Sequence, residues 1–86
     1  MEEYGLTTFK STQFALQGES ILKEEKIIFK TIPTPREVSQ SCGLALLFGI
    51  DDIEEVKNLI EEKRLNIDGL YKYTKENHRA KAEKIL

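Results

Sequence analysis

The sequence is a short and slightly acidic chain with a single cysteine. Its 86 residues carry a formal net charge of -2, and 40% of them are hydrophobic while 33% are charged. A chain of this length suits one domain with a modest core. The net negative charge predicts no general attraction to nucleic acid or to an anionic membrane.

Neither the apolar runs nor the cysteine usage suggests a membrane or secreted protein. No apolar run approaches the ~18 residues that a membrane-spanning helix needs. The acidic N-terminus is not typical of a signal peptide. One cysteine excludes an intramolecular disulfide and a thiolate-rich zinc site. We therefore expect a cytoplasmic protein with no metal and no cofactor, whose lone thiol stays reduced.

The first half of the chain predicts a strand, a helix, a second strand and a loop. Residues 4–9 are typical of a strand, and residues 11–26 have apolar side chains at helical spacing. Gly18 falls on the inner face of this helix, where its missing side chain allows close approach to a sheet. β-branched and aromatic residues predict a strand over residues 27–32. Two prolines then end that strand, so residues 33–41 are expected to form an ordered loop.

The second half of the chain also predicts a strand, a helix and a strand. Residues 42–48 are almost wholly apolar, which indicates a central strand that is buried on both faces. Asp51 is expected to open a second helix, with Glu54 completing a capping box. Residues 65–73 alternate in the manner of a last strand.

The element order β-α-β-β-α-β predicts an α+β fold of ferredoxin-like layout. Such a fold has a four-stranded antiparallel sheet with both helices on one face. We assign residues 1–74 to this single domain and residues 75–86 to a basic polar tail, as a short helix or disordered chain. The other face of the sheet would be bare, so we expect a homodimer or the tail to cover it.

Cys42 is the best candidate for chemistry, because it lies where the proline-rich loop meets the buried strand. Arg36 could stabilise its thiolate and so lower the thiol pKa, while Ser39 and Ser41 offer hydroxyl donors. Gly43 leaves space and a free backbone N–H beside the sulfur. The competing interpretation is a buried structural cysteine that acts only as a small hydrophobe.

The loop also resembles a known family signature. The Pro-Thr-Pro-Arg-Glu run at residues 33–37 is followed by Ser-Cys-Gly-Leu-Ala at residues 41–45. Together they are similar to a family of small bacterial proteins described as putative selenium/sulfur carrier-like, and the resemblance extends over residues 4–73. It implies a site centred on Cys42 and shaped by Pro35, Arg36, Ser41 and Gly43.

Three functions follow as hypotheses. The first is a carrier that holds a persulfide or selenopersulfide on Cys42 between donor and acceptor proteins, rather than an independent enzyme. The second is a small-molecule-binding or regulatory module with a structural cysteine. The third is an interaction domain that docks a partner through its tail. His78 lies in the tail, far in sequence from Cys42, and Tyr71 and Tyr73 suit core or dimer contacts better than stacking on nucleic-acid bases.

Overall fold

The chain folds as two helices packed against one antiparallel sheet. The computed structural model describes residues 2–35, 38, 43–77 and 79–86. No helix in this part of the chain is long and apolar enough to cross a bilayer. The elements are β1 (Glu2–Thr8), α1 (Thr12–Glu24), β2 (Phe29–Pro33), β3 (Leu44–Gly49), a 3-10 turn (Ile50–Asp52), α2 (Ile53–Glu61), β4 (Gly69–Glu76) and β5 (Arg79–Lys84).

Within the described residues, the sheet has five strands in the order β2-β3-β1-β4-β5, and every neighbouring pair is antiparallel. The predicted β-α-β-β-α-β order of the first six helices and strands is confirmed. The prediction of four strands is wrong, because β5 comes from the segment that was expected to be a tail. Residues 75 and 76 complete β4, and residues 79–84 pair with β4 in place of the expected short helix or disordered chain.

Both helices pack on the same face of the sheet. Their buried side chains share one cluster with alternate residues of the central strands, including Leu46, Phe48 and Leu70. Ser11 caps α1, since its hydroxyl accepts a hydrogen bond from the Phe14 N–H at 3.3 Å. A Cβ on Gly18 would lie only 2.8 Å from the Phe9 ring, which confirms the close approach of α1 to its neighbours.

The start of α2 differs from the predicted capping box. A 3-10 turn occupies Ile50–Asp52, and α2 begins at Ile53. The N-cap is therefore Asp52, whose helical backbone angles (φ -92, ψ 0) leave no side-chain cap hydrogen bond. A capping residue normally has extended backbone angles, so the inserted turn removes the geometry that Asp51 and Glu54 would need.

Pro33 was expected to be the first residue of the loop. It is instead the last residue of β2, paired with Leu44. The reason is the edge position of β2. The Thr34 N–H donates to the Gly43 carbonyl at 3.0 Å, so Thr34 points toward β3. Residues of a strand alternate in direction, which turns Pro33 toward the free edge, where no N–H is required.

The face without helices is not bare, and part of its covering comes from the segment that was expected to be a tail. The homodimer, which was the other expected covering, stays a prediction. A second buried cluster lies there, made by Leu6, Val38, Ala45, Tyr71 and Tyr73, with Ala80 and Ala82 of β5 packed against it. The prediction that β3 is buried on both faces is confirmed, because Leu46 and Phe48 face the helices while Ala45 and Leu47 face this second cluster. We call this side the helix-free face.

Candidate functional site

The predicted site is only partly within the described structure. Cys42, Arg36, Ser39 and Ser41 lie outside the described residues, and so does His78. Pro35 and Gly43, which bracket the loop, are described. The described residues show where the loop begins and ends, and where Val38 packs. The surroundings of the thiol itself stay a prediction.

The two ends of the loop are held together at the β2–β3 hairpin. Pro33 pairs with Leu44, and one residue further out the Thr34 N–H donates to the Gly43 carbonyl at 3.0 Å. The hairpin therefore continues to the residue that follows Cys42. Fixing both ends of a loop on a sheet reduces the freedom of the residues between them.

Val38 anchors the middle of the loop to the helix-free face. Its N–H donates to the Pro35 carbonyl at 3.3 Å, and its side chain is only 8% exposed. It packs in the cluster that contains Leu6 and Ala45. Val38 thus lies on the side of the sheet opposite the helices.

Gly43 is the described residue that directly follows the cysteine. It is exposed, and among the described residues, its chain neighbours aside, no atom lies within 4 Å of a Cβ built on it. The role of Gly43 in shaping the site stays a prediction, because Cys42 lies outside the described residues.

A groove opens on the same face, beside the second cluster. Its volume is about 390 Å³, and it runs between Lys30 of β2 and Lys75 of β4, over Leu47 and Gly49 of β3, past Tyr4 and Tyr73. We call it the lysine-flanked groove. It contacts the loop region through Ile32 and Leu47, which line the groove and also pack against the cluster of Val38. No local sequence pattern predicted this groove.

Tyr4, which lines the groove, has a shifted pKa. The Tyr4 hydroxyl donates a 2.6 Å hydrogen bond to the Glu2 carboxylate. This bond stabilises the protonated phenol, and it raises the pKa of Tyr4 above its usual value of 10.0. Tyr4 is therefore a neutral donor at physiological pH, already directed toward Glu2.

The comparisons with known proteins agree with the resemblance noted above. A family model described as "Putative Se/S carrier protein-like" matches residues 4–72, which include the whole loop and Cys42. An uncharacterized protein of Methanocaldococcus jannaschii is 34% identical over 61 residues, covering 71% of this chain. The chain spans 30% of that protein's length. No solved structure matches the chain.

Proposed function

Because the chain belongs to the Putative Se/S carrier protein-like family, we propose that it carries sulfur or selenium as a persulfide or selenopersulfide on Cys42. The observation that carries the proposal is the family match over residues 4–72, which spans the loop with the cysteine. The structure supports it with a loop whose two ends meet at the Thr34–Gly43 hydrogen bond. Loading and unloading by partner proteins would make the chain a carrier rather than an independent enzyme.

The transfer step is a displacement at sulfur. The Cys42 thiolate attacks the terminal sulfur of a donor persulfide, so a bond forms from Sγ to that sulfur and the donor's own sulfur–sulfur bond breaks. The donor leaves as a thiolate, and the sulfur atom arrives with its proton to give a Cys42 persulfide. No net oxidation or reduction occurs, because the transferred atom keeps its oxidation state. An acceptor thiolate reverses the same step, and a selenium atom follows the same course.

This chemistry sets requirements on the site. The thiol must be ionised near neutral pH, which calls for a positive charge or hydrogen-bond donors beside it. Arg36, with Ser39 and Ser41, is the proposed source of that stabilisation. The open space at Gly43 suits the approach of a bulky donor. The proposal includes a cytoplasmic location, since a lone thiol stays reduced there.

The rate of Cys42 alkylation at different pH values tests these requirements. We expect iodoacetamide to label the folded, reduced chain with an apparent pKa below the ~8.5 of a free thiol. The Arg36→Ala variant should react with a higher apparent pKa, because a cation near the thiolate is lost. Arg79→Ala, which removes an exposed arginine of β5, is the matched control and should leave the profile unchanged. Intact-mass spectrometry gives the rates.

A different outcome would favour the structural cysteine. A thiol that reacts only after unfolding would be a core residue, and the carrier proposal would then be wrong. Equal profiles for the native chain and Arg36→Ala would remove Arg36 from the site. The far-ultraviolet circular dichroism of each variant establishes that the comparison is between folded chains.

A further inference from the structure

The lysine-flanked groove has the size and lining of a small-molecule site, and we propose that it binds a small aromatic anion. By this we mean one or two aromatic rings that carry a carboxylate, sulfonate or phosphate group. The proposal rests on the groove alone and does not depend on the chemistry of Cys42. Its volume of about 390 Å³ falls within the ~300–1,000 Å³ typical of ligand pockets.

The floor of the groove is formed by apolar and aromatic residues on one face of the sheet. Tyr4 lies opposite Gly49 on one side and opposite Tyr73 on the other. Gly49 has no side chain, so a depression is left beside the Tyr4 ring, with Leu47 two residues back along the same strand face. Tyrosine rings next to a bare backbone offer the surface on which an aromatic ring packs well.

The two lysines give the groove its preference for negative charge. Lys30 lies on β2 and Lys75 on β4, and two strands run between them. With a strand spacing of about 4.8 Å, their backbones are roughly 14 Å apart across the sheet. Within the described residues, no carboxylate forms an ion pair with either ammonium. Glu2 is the cross-strand neighbour of Lys75, but its carboxylate accepts the hydrogen bond of Tyr4 instead.

The size of the groove decides between a small molecule and a partner protein. Ile28, at the rim, is 87% exposed and would also suit a protein contact. A stable protein interface involves about 20–30 residues on each partner, whereas ten described residues line this groove. A small ligand with an aromatic body can fill the floor and still place its acidic group within reach of a lysine.

Two fluorescent probes that differ in one charged group test the proposal. Anilinonaphthalene sulfonate has the aromatic body and the anion, whereas phenylnaphthylamine has the aromatic body alone. We expect the full chain to bind the sulfonate at one saturable site and more tightly than the neutral probe. Lys30→Gln and Lys75→Gln should each lower the affinity for the sulfonate by about three-fold and leave the affinity for the neutral probe unchanged. Lys23→Gln, on an exposed turn of α1, is the matched control and should change neither.

A groove-filling variant tests the position of the site. Gly49 has extended backbone angles (φ -64, ψ 145), and a Cβ there would contact only Asp52 at 3.4 Å, so valine is tolerated. Gly49→Val should lower the affinity for both probes by about ten-fold or more, because the valine side chain occupies the floor of the groove. Ile28→Ser, at an exposed rim position, is a second variant that leaves the fold intact and should also weaken both probes.

Each result has one meaning for the proposal. The proposal would be supported if Gly49→Val bound both probes more weakly and the lysine variants bound only the sulfonate more weakly. Unchanged binding in Gly49→Val and Ile28→Ser would overturn it, as would equal responses of the two probes to Lys30→Gln and Lys75→Gln. Amide chemical shifts on titration with the sulfonate must also move at residues 47–49. Shifts confined to the helices would show that the probe binds elsewhere and would overturn it too.

Discussion

Replacing Gly5 by alanine is expected to lower the free energy of unfolding by about 2–4 kcal/mol. Gly5 lies on β1 directly opposite Phe48 of β3. The Phe48 ring occupies the space where a side chain would be, with its Cζ atom 2.6 Å from a Cβ built on Gly5. Phe48 is 2% exposed in the cluster under the helices, so displacing its ring would disturb the packing of that cluster. Urea unfolding measures the loss.

Gly43→Ala is the matched control for this prediction. In the described part of the chain, no atom beyond its chain neighbours lies within 4 Å of a Cβ on Gly43, and its backbone does not have a positive φ angle. Alanine there should leave stability unchanged or raise it by up to about 1 kcal/mol, because it restricts the unfolded chain. If the two variants unfolded at the same urea concentration, the packing of Phe48 over β1 would be contradicted.

Ending the chain at Glu76, which removes β5, is expected to cost about 2–4 kcal/mol of stability. β5 packs Ala80 and Ala82 against the helix-free cluster, and Ile85, which directly follows β5 and is also removed, packs against the cluster under the helices. The Ile85 N–H also donates to the Leu70 carbonyl at 2.7 Å. Without β5, the polar backbone of β4 becomes a free edge, which favours association between chains.

Urea unfolding and size-exclusion chromatography together measure this effect. The full-length Lys81→Ala variant is the control, because Lys81 is exposed and its backbone stays in β5. We expect the shortened chain to unfold at lower urea and to self-associate, while Lys81→Ala behaves as the native chain does. A shortened chain as stable and as monomeric as the control would mean that β5 adds nothing to the fold.

The strand β5 shows why part of the fold was not predictable from local patterns. Its sequence, Arg-Ala-Lys-Ala-Glu-Lys, consists of good helix formers, which favoured a short helix or a disordered tail. The signal for a strand was the spacing of Ala80 and Ala82, which places both on one face at a period of two. Alanine is too small for that alternation to stand out, and the pairing with β4 decided the outcome.

The central strands were predictable because both faces are buried. In β3 the alternation of large and small apolar residues matches the two clusters that the strand separates. The loop was recognisable for a different reason, since its prolines and the Ser-Cys-Gly run form a family signature. Its packing through Val38 was not predictable, because a single valine in a polar loop gives no periodic signal.

The lysine-flanked groove was missed because its residues come from four different strands. Lys30, Gly49, Tyr4 and Lys75 are neighbours only when the order β2-β3-β1-β4 is known. Tyr73 was predicted to make core or dimer contacts, and it is buried in the cluster beside the groove. A sheet surface of this kind depends on strand order, which local sequence does not specify.

Sulfur uptake from glutathione persulfide tests the central claim most directly. After reaction and desalting without reductant, intact-mass spectrometry should show the native chain heavier by one sulfur atom. Dithiothreitol should remove that atom, and the Cys42→Ser variant should gain none, because Cys42 is the only cysteine. Failure of the native chain to gain sulfur, or an equal gain by Cys42→Ser, would contradict the proposed carrier function.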